Sequence, residues 1–299
     1  MKALVVDAGG AGVREVVRPR LRPHEARVRV RCSGICNTDF ELVRGYHDFS
    51  GILGHEFVGI VDGPAGSPRL GRRVVGEINV GCNRCAWCRQ NLSRHCPRRT
   101  VIGIKNRPGA HAEWLTVPER NLFVVPDGMP DEVAVFVEPL AAACEILEQV
   151  SVTSKMRAAV LGAGKLGSLV AQVLRLSGAG VTVLGRGDEP RRAGFDLVVE
   201  ATGSPLGMTR ALALVRPRGT VVWKSTHHLP ARFDSAPLVV NEITVIGSRC
   251  GRFAPALALL ANRQVDVTKL LSAELPLTEA PRALRLAARR GVKKVLLRP

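Results

Sequence analysis

The chain reads as an α/β protein: a doubly wound parallel sheet joined to a second unit that is mostly antiparallel and barrel-like. Three observations predict this. A short apolar strand, Ala158–Leu161, runs into a glycine-rich turn and then a helix that continues through Leu176. Further apolar strands follow at Val181–Leu184, Asp196–Glu200, Gly219–Trp223 and Ile243–Ile246, alternating with helical stretches as in a parallel sheet covered on both faces. Before Glu138 the texture differs, with short period-two segments such as Arg27–Arg31 set between glycine and proline turns.

Taken in order, Met1–Asp7 is too short an apolar stretch for a signal peptide and reads as a first strand. Val58–Val61 and Glu113–Val117 continue the antiparallel unit. Pro139–Val150 is rich in Ala and Leu, lacks glycine, and reads as a helix. After Gly251 come amphipathic stretches at Ala254–Ala261 and Thr278–Ala288, and Lys294–Leu297 is a last strand.

The 46% hydrophobic and 23% charged residues of this 299-residue chain describe a globular protein with room for a sizeable core. No apolar run approaches the ~20 residues of a membrane span, and a cytoplasmic location is the expectation. Lysine and arginine total 43 against 26 acids, a net charge of +17. The basic residues are scattered, and no aromatic-lined basic stripe exists to stack bases, so no nucleic-acid partner is expected.

Eight cysteines without a secretion signal point to thiolate chemistry rather than disulfides. Cys82-x2-Cys85-x2-Cys88-x7-Cys96 crowds four of them into fifteen residues. Four soft ligands on one short loop suit a tetrahedral zinc ion with no open position, hence a structural one. Arg84, Arg89 and Arg94 are the expected counter-charges. Cys32, Cys144 and Cys250 read as small core residues.

A second set is more dispersed. Cys36-Asn37-Thr38-Asp39 and Gly54-His55-Glu56 supply a thiolate, an imidazole and carboxylates, and Glu138 precedes the helical segment. Three such ligands with a vacant position make an open, catalytic type of zinc site. Asp39 is the expected partner of the His55 ring.

Leu161-Gly162-Ala163-Gly164-Lys165-Leu166-Gly167 fits the dinucleotide pattern G-x-G-x-x-G, and it follows a strand and opens a helix, as the chemistry requires. Thr202 and Gly203 lie at the end of a later strand, near the expected nicotinamide path. The second strand ends in Gly185-Arg186, with no acid for a ribose 2′-hydroxyl and a guanidinium for a 2′-phosphate, so NADP(H) is expected ahead of NAD(H), with Arg191 and Arg192 either assisting or forming solvated surface. Lys224-Ser225-Thr226-His227-His228 is a polar cluster at a strand end, facing either ligand or solvent.

The run from Cys36-Asn37-Thr38-Asp39 through Gly54-His55-Glu56-Phe57-Val58-Gly59, the four-cysteine loop and Glu138-Pro139-Leu140 resembles the zinc-containing medium-chain alcohol dehydrogenases, closest to their polyol, threonine and glucose branches. The resemblance spans nearly the whole chain. It implies a GroES-like catalytic domain over 1–137 and 253–299 and a Rossmann domain over 138–252. It implies that Cys36 and His55 ligate catalytic zinc, that Glu56 and Glu138 complete or exchange in the sphere, and that Thr38 passes the substrate proton toward solvent. The family often has a histidine relay residue where this chain has Glu41. Between Gly187 and Phe195 there is also no room for the helix and third strand usual in the family, so a narrower sheet is expected.

The expected function is hydride transfer between a polar secondary alcohol and NAD(P), in a homo-oligomer (dimer or tetramer). Two other readings use the same residues: an NADPH-driven biosynthetic carbonyl reductase, and a non-catalytic protein binding zinc with a dinucleotide or polyanion.

Overall fold

A computed structural model describes residues 1–189, 194–226 and 230–299. The chain divides into two compact units, one of Met1–Glu138 with Phe253–Pro299 and one of Pro139–Arg252.

The first unit contains strands β1 (Lys2–Asp7), β2 (Gly10–Glu15), β3 (Glu25–Gly34), β4 (Gly51–Ile52), β5 (Glu56–Gly63), β6 (Arg73–Gly76), β7 (Asn79–Val80), β8 (Thr100–Val101), β9 (Trp114–Pro118) and β10 (Leu122–Val124). Helix α1 (Asn37–Val43) follows β3, and the short helices α2 (Ala86–Arg89) and α3 (Asp131–Ala134) come later. Helix α4 (Val137–Gln149) carries Glu138 in its first turn and leads into the second unit. That unit has β11 (Arg157–Leu161), α5 (Lys165–Leu176), β12 (Gly180–Leu184), β13 (Phe195–Glu200), α6 (Gly207–Leu214), β14 (Val215–Trp223), α7 (Ala236–Val240) and β15 (Thr244–Gly247). The chain then returns to the first unit through α8 (Phe253–Ala261), β16 (Leu271–Pro276), α9 (Ala280–Ala287) and β17 (Lys294–Arg298).

The main sheet of the first unit runs β10-β6-β5-β3-β17-β16, with β9 also on β3; β2-β1-β4 and β7-β8 form two smaller sheets. β3 shows why alternation was legible: Val28, Val30 and Cys32 are buried, while Arg29 and Arg31 face out. The sheet is antiparallel except where β16 pairs parallel with β17, a departure from the simple expectation. Leu4, Ile35, Leu42, Leu53 and Leu297 lie at the centre of one apolar core, against which α9 packs Ala283 and Leu284.

The second unit is a five-stranded parallel sheet in the order β12-β11-β13-β14-β15. Ala158–Leu161 of β11 are completely buried, because the strand has neighbours on both sides and cover on both faces. β12 has the same length but alternates exposed and half-buried residues, because it is an edge. That edge follows from chain length. β12 and β13 lie on opposite sides of β11, and only residues 185–194 connect them. Ten residues are below the dozen or so that a crossover with a helix needs. The sheet is therefore narrow on this side.

Candidate functional site

The metal-binding region of the first unit is built on β3, α1 and β5. Cys36 precedes α1, and its backbone N–H donates to the Asp39 carboxylate at 2.8 Å, which ties the helix start to the acid three residues on. Gly54, with φ +97, turns the chain into β5 and presents His55 and Glu56 inward. The result brings Cys36, His55 and Glu56 together, with ligand atoms all within 4.8 Å of one another. Glu56 Oε1 is buried without a hydrogen-bond partner among the described residues. A buried orphan carboxylate oxygen beside a thiol and an imidazole is a donor set that suits zinc. Glu138 is not within that close cluster, yet its charge acts on both His55 and Lys294. The Thr38 hydroxyl lies 3.8 Å from Cys36 Sγ.

Asp39 is fully buried and sits between two histidines. Its Oδ1 is 3.6 Å from His55 Nδ1, the partnership expected from sequence, and its Oδ2 is 3.5 Å from Nε2 of His111. His111 Nδ1 in turn lies 2.8 Å from Ser33 Oγ. Burial raises the Asp39 pKa, but the His111 hydrogen bond and the His55 charge outweigh it and hold the carboxyl at about 2. Burial pulls the His55 pKa down, and the Cys36 thiol and Asp39 overcome this and push it well above its ordinary value.

His111 and Lys294 were not found from sequence. Lys294 is buried, its ammonium paired with Glu56 and 3.4 Å from the Ile35 carbonyl. Burial opposes its charge, yet Glu56 and Cys36 raise its pKa overall. The only local signal was a lysine heading the apolar run Val295-Leu296-Leu297, which the sequence treats as a strand end. Glu41, at the expected relay position, pairs instead with Arg44 at 2.7 Å.

In the loop of α2, Cys82, Cys85, Cys88 and Cys96 form a second cluster, again within 4.8 Å, and none of the cysteines is in a disulfide. The N–H groups of Arg84 and then Cys85 push the Cys82 thiol down to about 5. A further arginine, not singled out from sequence, joins the expected counter-charges. Arg98 is the guanidinium at Cys82 Sγ, at 3.4 Å, whereas Arg94 faces Glu77 at 3.9 Å. Cys32 and Cys144 are buried, and burial pushes their thiols up to about 12 and about 11. Cys250 is half-buried.

In the second unit the three glycines of the turn have three different reasons. Gly162 has φ +107 and passes so close to Ala201 that a Cβ would strike its carbonyl. A Cβ on Gly167 would overlap the Gly162 carbonyl oxygen. A Cβ on Gly164, the residue before α5, would meet nothing within 4 Å, so this face of the turn is open to close approach by a ligand. These are the turn, packing and approach roles that a pyrophosphate needs at a helix N-terminus, where Lys165 and Leu166 begin α5. The facing turn after β13 is set by Glu200, whose Oε1 accepts from Thr202 N at 2.8 Å, while Gly203 N donates to Ser225 Oγ at 2.8 Å.

Of the polar cluster after β14, Lys224 is buried and donates to the carbonyls of Ala142 and Arg249 and to Ser248 Oγ, at 2.7–3.0 Å. It braces the unit rather than facing a ligand. His227, His228, Arg191 and Arg192 lie outside the described residues. Arg186 is exposed. The expectation that no acid stands at the end of β12 also needs correction: Gly185 N donates to Asp188 Oδ2 at 2.8 Å, so a carboxylate folds back to that position.

The fold and these sites define an oxidoreductase of the alcohol dehydrogenase type. Residues 22–127 match the alcohol dehydrogenase GroES-like domain, and residues 188–262 match the zinc-binding dehydrogenase domain. A D-altritol 5-dehydrogenase of Agrobacterium fabrum is 30% identical, with 92% of each chain covered. The solved structure of an alcohol dehydrogenase from a Thermus species superimposes with a TM-score of 0.89 at 31% identity, covering all of both chains. A zinc-binding dehydrogenase of Sinorhizobium meliloti bound to NADP gives a TM-score of 0.87 at 27% identity, covering 100% of this chain and 99% of the other. The chain belongs to the zinc-dependent medium-chain alcohol dehydrogenase family.

Proposed function

We propose that this protein oxidises a polar secondary alcohol, of the polyol or sugar-alcohol kind, by hydride transfer to a nicotinamide dinucleotide, and reduces the matching carbonyl in reverse. One zinc ion would be held by Cys36 and His55 with Glu56 or Glu138, and a second, structural one by Cys82, Cys85, Cys88 and Cys96. The observation that carries this reading is the buried Cys36–His55–Glu56 cluster with its orphan carboxylate oxygen, in a chain that also has an open glycine turn.

When bound, zinc supplies electrostatic stabilisation of negative charge on the substrate oxygen, and the dinucleotide supplies the hydride acceptor. The rest falls to the chain's own groups. Thr38 Oγ1, 3.8 Å from the Cys36 sulfur, would relay the substrate hydroxyl proton, accepting it while passing its own on toward solvent. Asp39 orients the His55 ring, and Ser33 and His111 hold Asp39 in turn. Lys294 balances the Glu56 charge within the buried site. Gly164 admits the pyrophosphate to the N-terminus of α5.

The polar-alcohol class is supported by the name of the Agrobacterium relative, a D-altritol 5-dehydrogenase. For the cofactor, Gly185 and Arg186 are what favour NADP(H), and the folded-back Asp188 is what opposes it. Homo-oligomer formation is supported by the edge position of β15, where Val245 is exposed, and by the exposed Val239 and Val240 of α7. Among the described residues no helix is long and apolar enough to cross a membrane. A reducing, cytoplasmic setting is supported by the free cysteines.

The test is metal analysis joined to a substrate screen. The protein should carry two zinc ions per chain and turn over polyols with a nicotinamide cofactor. Cys36→Ser should lose one zinc and all turnover while staying folded, and Cys96→Ser should lose the other zinc. Wild-type turnover in Cys36→Ser would sink the proposal.

A further inference from the structure

The shortened connection after β12 changes which residue reads the adenosine ribose. A dinucleotide seated on the Gly162–Gly167 turn places that ribose beside the end of the second strand, where an acid about 20 residues beyond the glycines distinguishes a 2′-hydroxyl from a 2′-phosphate. In this chain the strand-end residue is Gly185, and from sequence the position looks empty. In the structure it is filled. A side chain built on Gly185 would begin 3.2 Å from Asp188 Oδ2 and 3.8 Å from the Ala163 methyl, so the Asp188 carboxylate occupies the space an acid at 185 would have used, beside the glycine turn.

Its placement is fixed at three points. Gly185 N–H donates to Asp188 Oδ2 at 2.8 Å. Arg210 of α6 donates to the Gly185 carbonyl at 2.7 Å and to the Asp188 carbonyl through its second terminal nitrogen. Among the described residues no strand lies beyond β12, and the guanidinium of Arg210 supplies the support that a neighbouring strand would give. Arg210 spends these donors on backbone carbonyls, and Arg186 is exposed.

We infer that Asp188 is the specificity-determining residue of the nucleotide site, accepting hydrogen bonds from the ribose hydroxyls of NAD(H) and repelling the 2′-phosphate of NADP(H). Arg210 is the residue that positions it. The inference rests on the dehydrogenase reading above and reverses the cofactor preference that Gly185-Arg186 suggests from sequence alone. Two charge effects compete here. The net charge of +17 draws the more anionic dinucleotide at long range, but that field is screened beyond about 8 Å at physiological ionic strength. The carboxylate acts at contact distance, where like charges are strongly unfavourable.

The experiment is a fluorescence titration of the zinc-loaded protein with NADH and with NADPH, near physiological salt, for wild type, Asp188→Asn and Arg186→Gln. None of these readouts needs turnover. Wild type should bind NADH at least about tenfold more tightly than NADPH. Asp188→Asn keeps an oxygen for the Gly185 N–H and removes the charge, so it should bring the two affinities to within about threefold, largely by tightening NADPH. Arg186→Gln should leave the ratio unchanged. Tighter binding of NADPH by wild type, an unchanged ratio in Asp188→Asn, or selective loss of NADPH in Arg186→Gln would each overturn the inference while leaving the dehydrogenase reading intact. Binding of neither dinucleotide by wild type would overturn both.

Discussion

Replacing Lys294 with methionine isolates the buried ammonium of the metal-binding region. Lys294 and Glu56 are each about 1% exposed, and they pair across β3, with Gly34 between them. Methionine keeps most of the volume, so packing is largely conserved and the change is one of charge. It leaves the Glu56 carboxylate buried beside Cys36 without its ammonium partner. Breaking a buried pair in this way costs about 3–5 kcal/mol. The ammonium also lies 5.6 Å from the Phe136 ring, a contact worth about 0.5–2 kcal/mol that is lost too. In chelator-treated protein the urea midpoint should therefore fall by roughly 1–2 M. Hydrogen exchange of β5 and β17 reports the first unit alone, which matters because the two units need not unfold together. Adding Glu56→Gln should restore much of the loss, since the uncompensated charge goes with it. A metal-free Lys294→Met within about 0.5 kcal/mol of wild type, or a double variant no better than the single one, would refute the reasoning.

Other outcomes test the surroundings. His111→Phe removes the group that anchors Asp39 behind His55, and should weaken zinc binding at the Cys36 site by about 10–100-fold while leaving the four-cysteine loop loaded, as read by chelator competition. Zinc affinity at that site should fall as pH falls: the His55 pKa is raised in the metal-free protein, so the ring holds a proton that the metal must displace, at about tenfold per pH unit for each proton released. Conversely, a proton on His55 stabilises the metal-free fold below its unfolded pKa, and this contribution is lost as pH rises through the raised folded value; a metal-free melting temperature that does not fall over that range would contradict it. Gly167→Ala would force a methyl into the Gly162 carbonyl oxygen, and calorimetry should show the second unit destabilised by more than about 1 kcal/mol with dinucleotide binding lost.

Much of the fold was legible because its signals are local. β3 alternates because one face is buried, β11 is uniformly apolar because both are, and the glycine turn lies between a strand and a helix only a few residues away. The four-cysteine loop is legible for the same reason: its ligands are so near in sequence that a metal can gather them without a core. The Cys36–His55–Glu56 cluster was harder, since each residue alone is common, and it was recognised through a family resemblance. The parallel β16–β17 pair was not legible, because the partner of a strand is chosen by packing and not by its own sequence.

The sequence by itself determined the ligand types, the glycine turn, the missing strand and the counts of charge. Tertiary structure decided which charges meet. His111 reaches Asp39 across 72 positions of chain, and Lys294 reaches Glu56 across 238. Register makes the second meeting possible: β3 pairs with β5 on one side and β17 on the other, and Gly34, opposite both Glu56 and Leu296, has no side chain to keep the two charges apart. Asp188 teaches the same lesson over three residues, because the fold-back of its carboxylate depends on the Gly185 N–H and on Arg210 from another helix. A side chain's type is fixed along the chain, but the field it experiences is set by neighbours that only folding brings within a few ångströms.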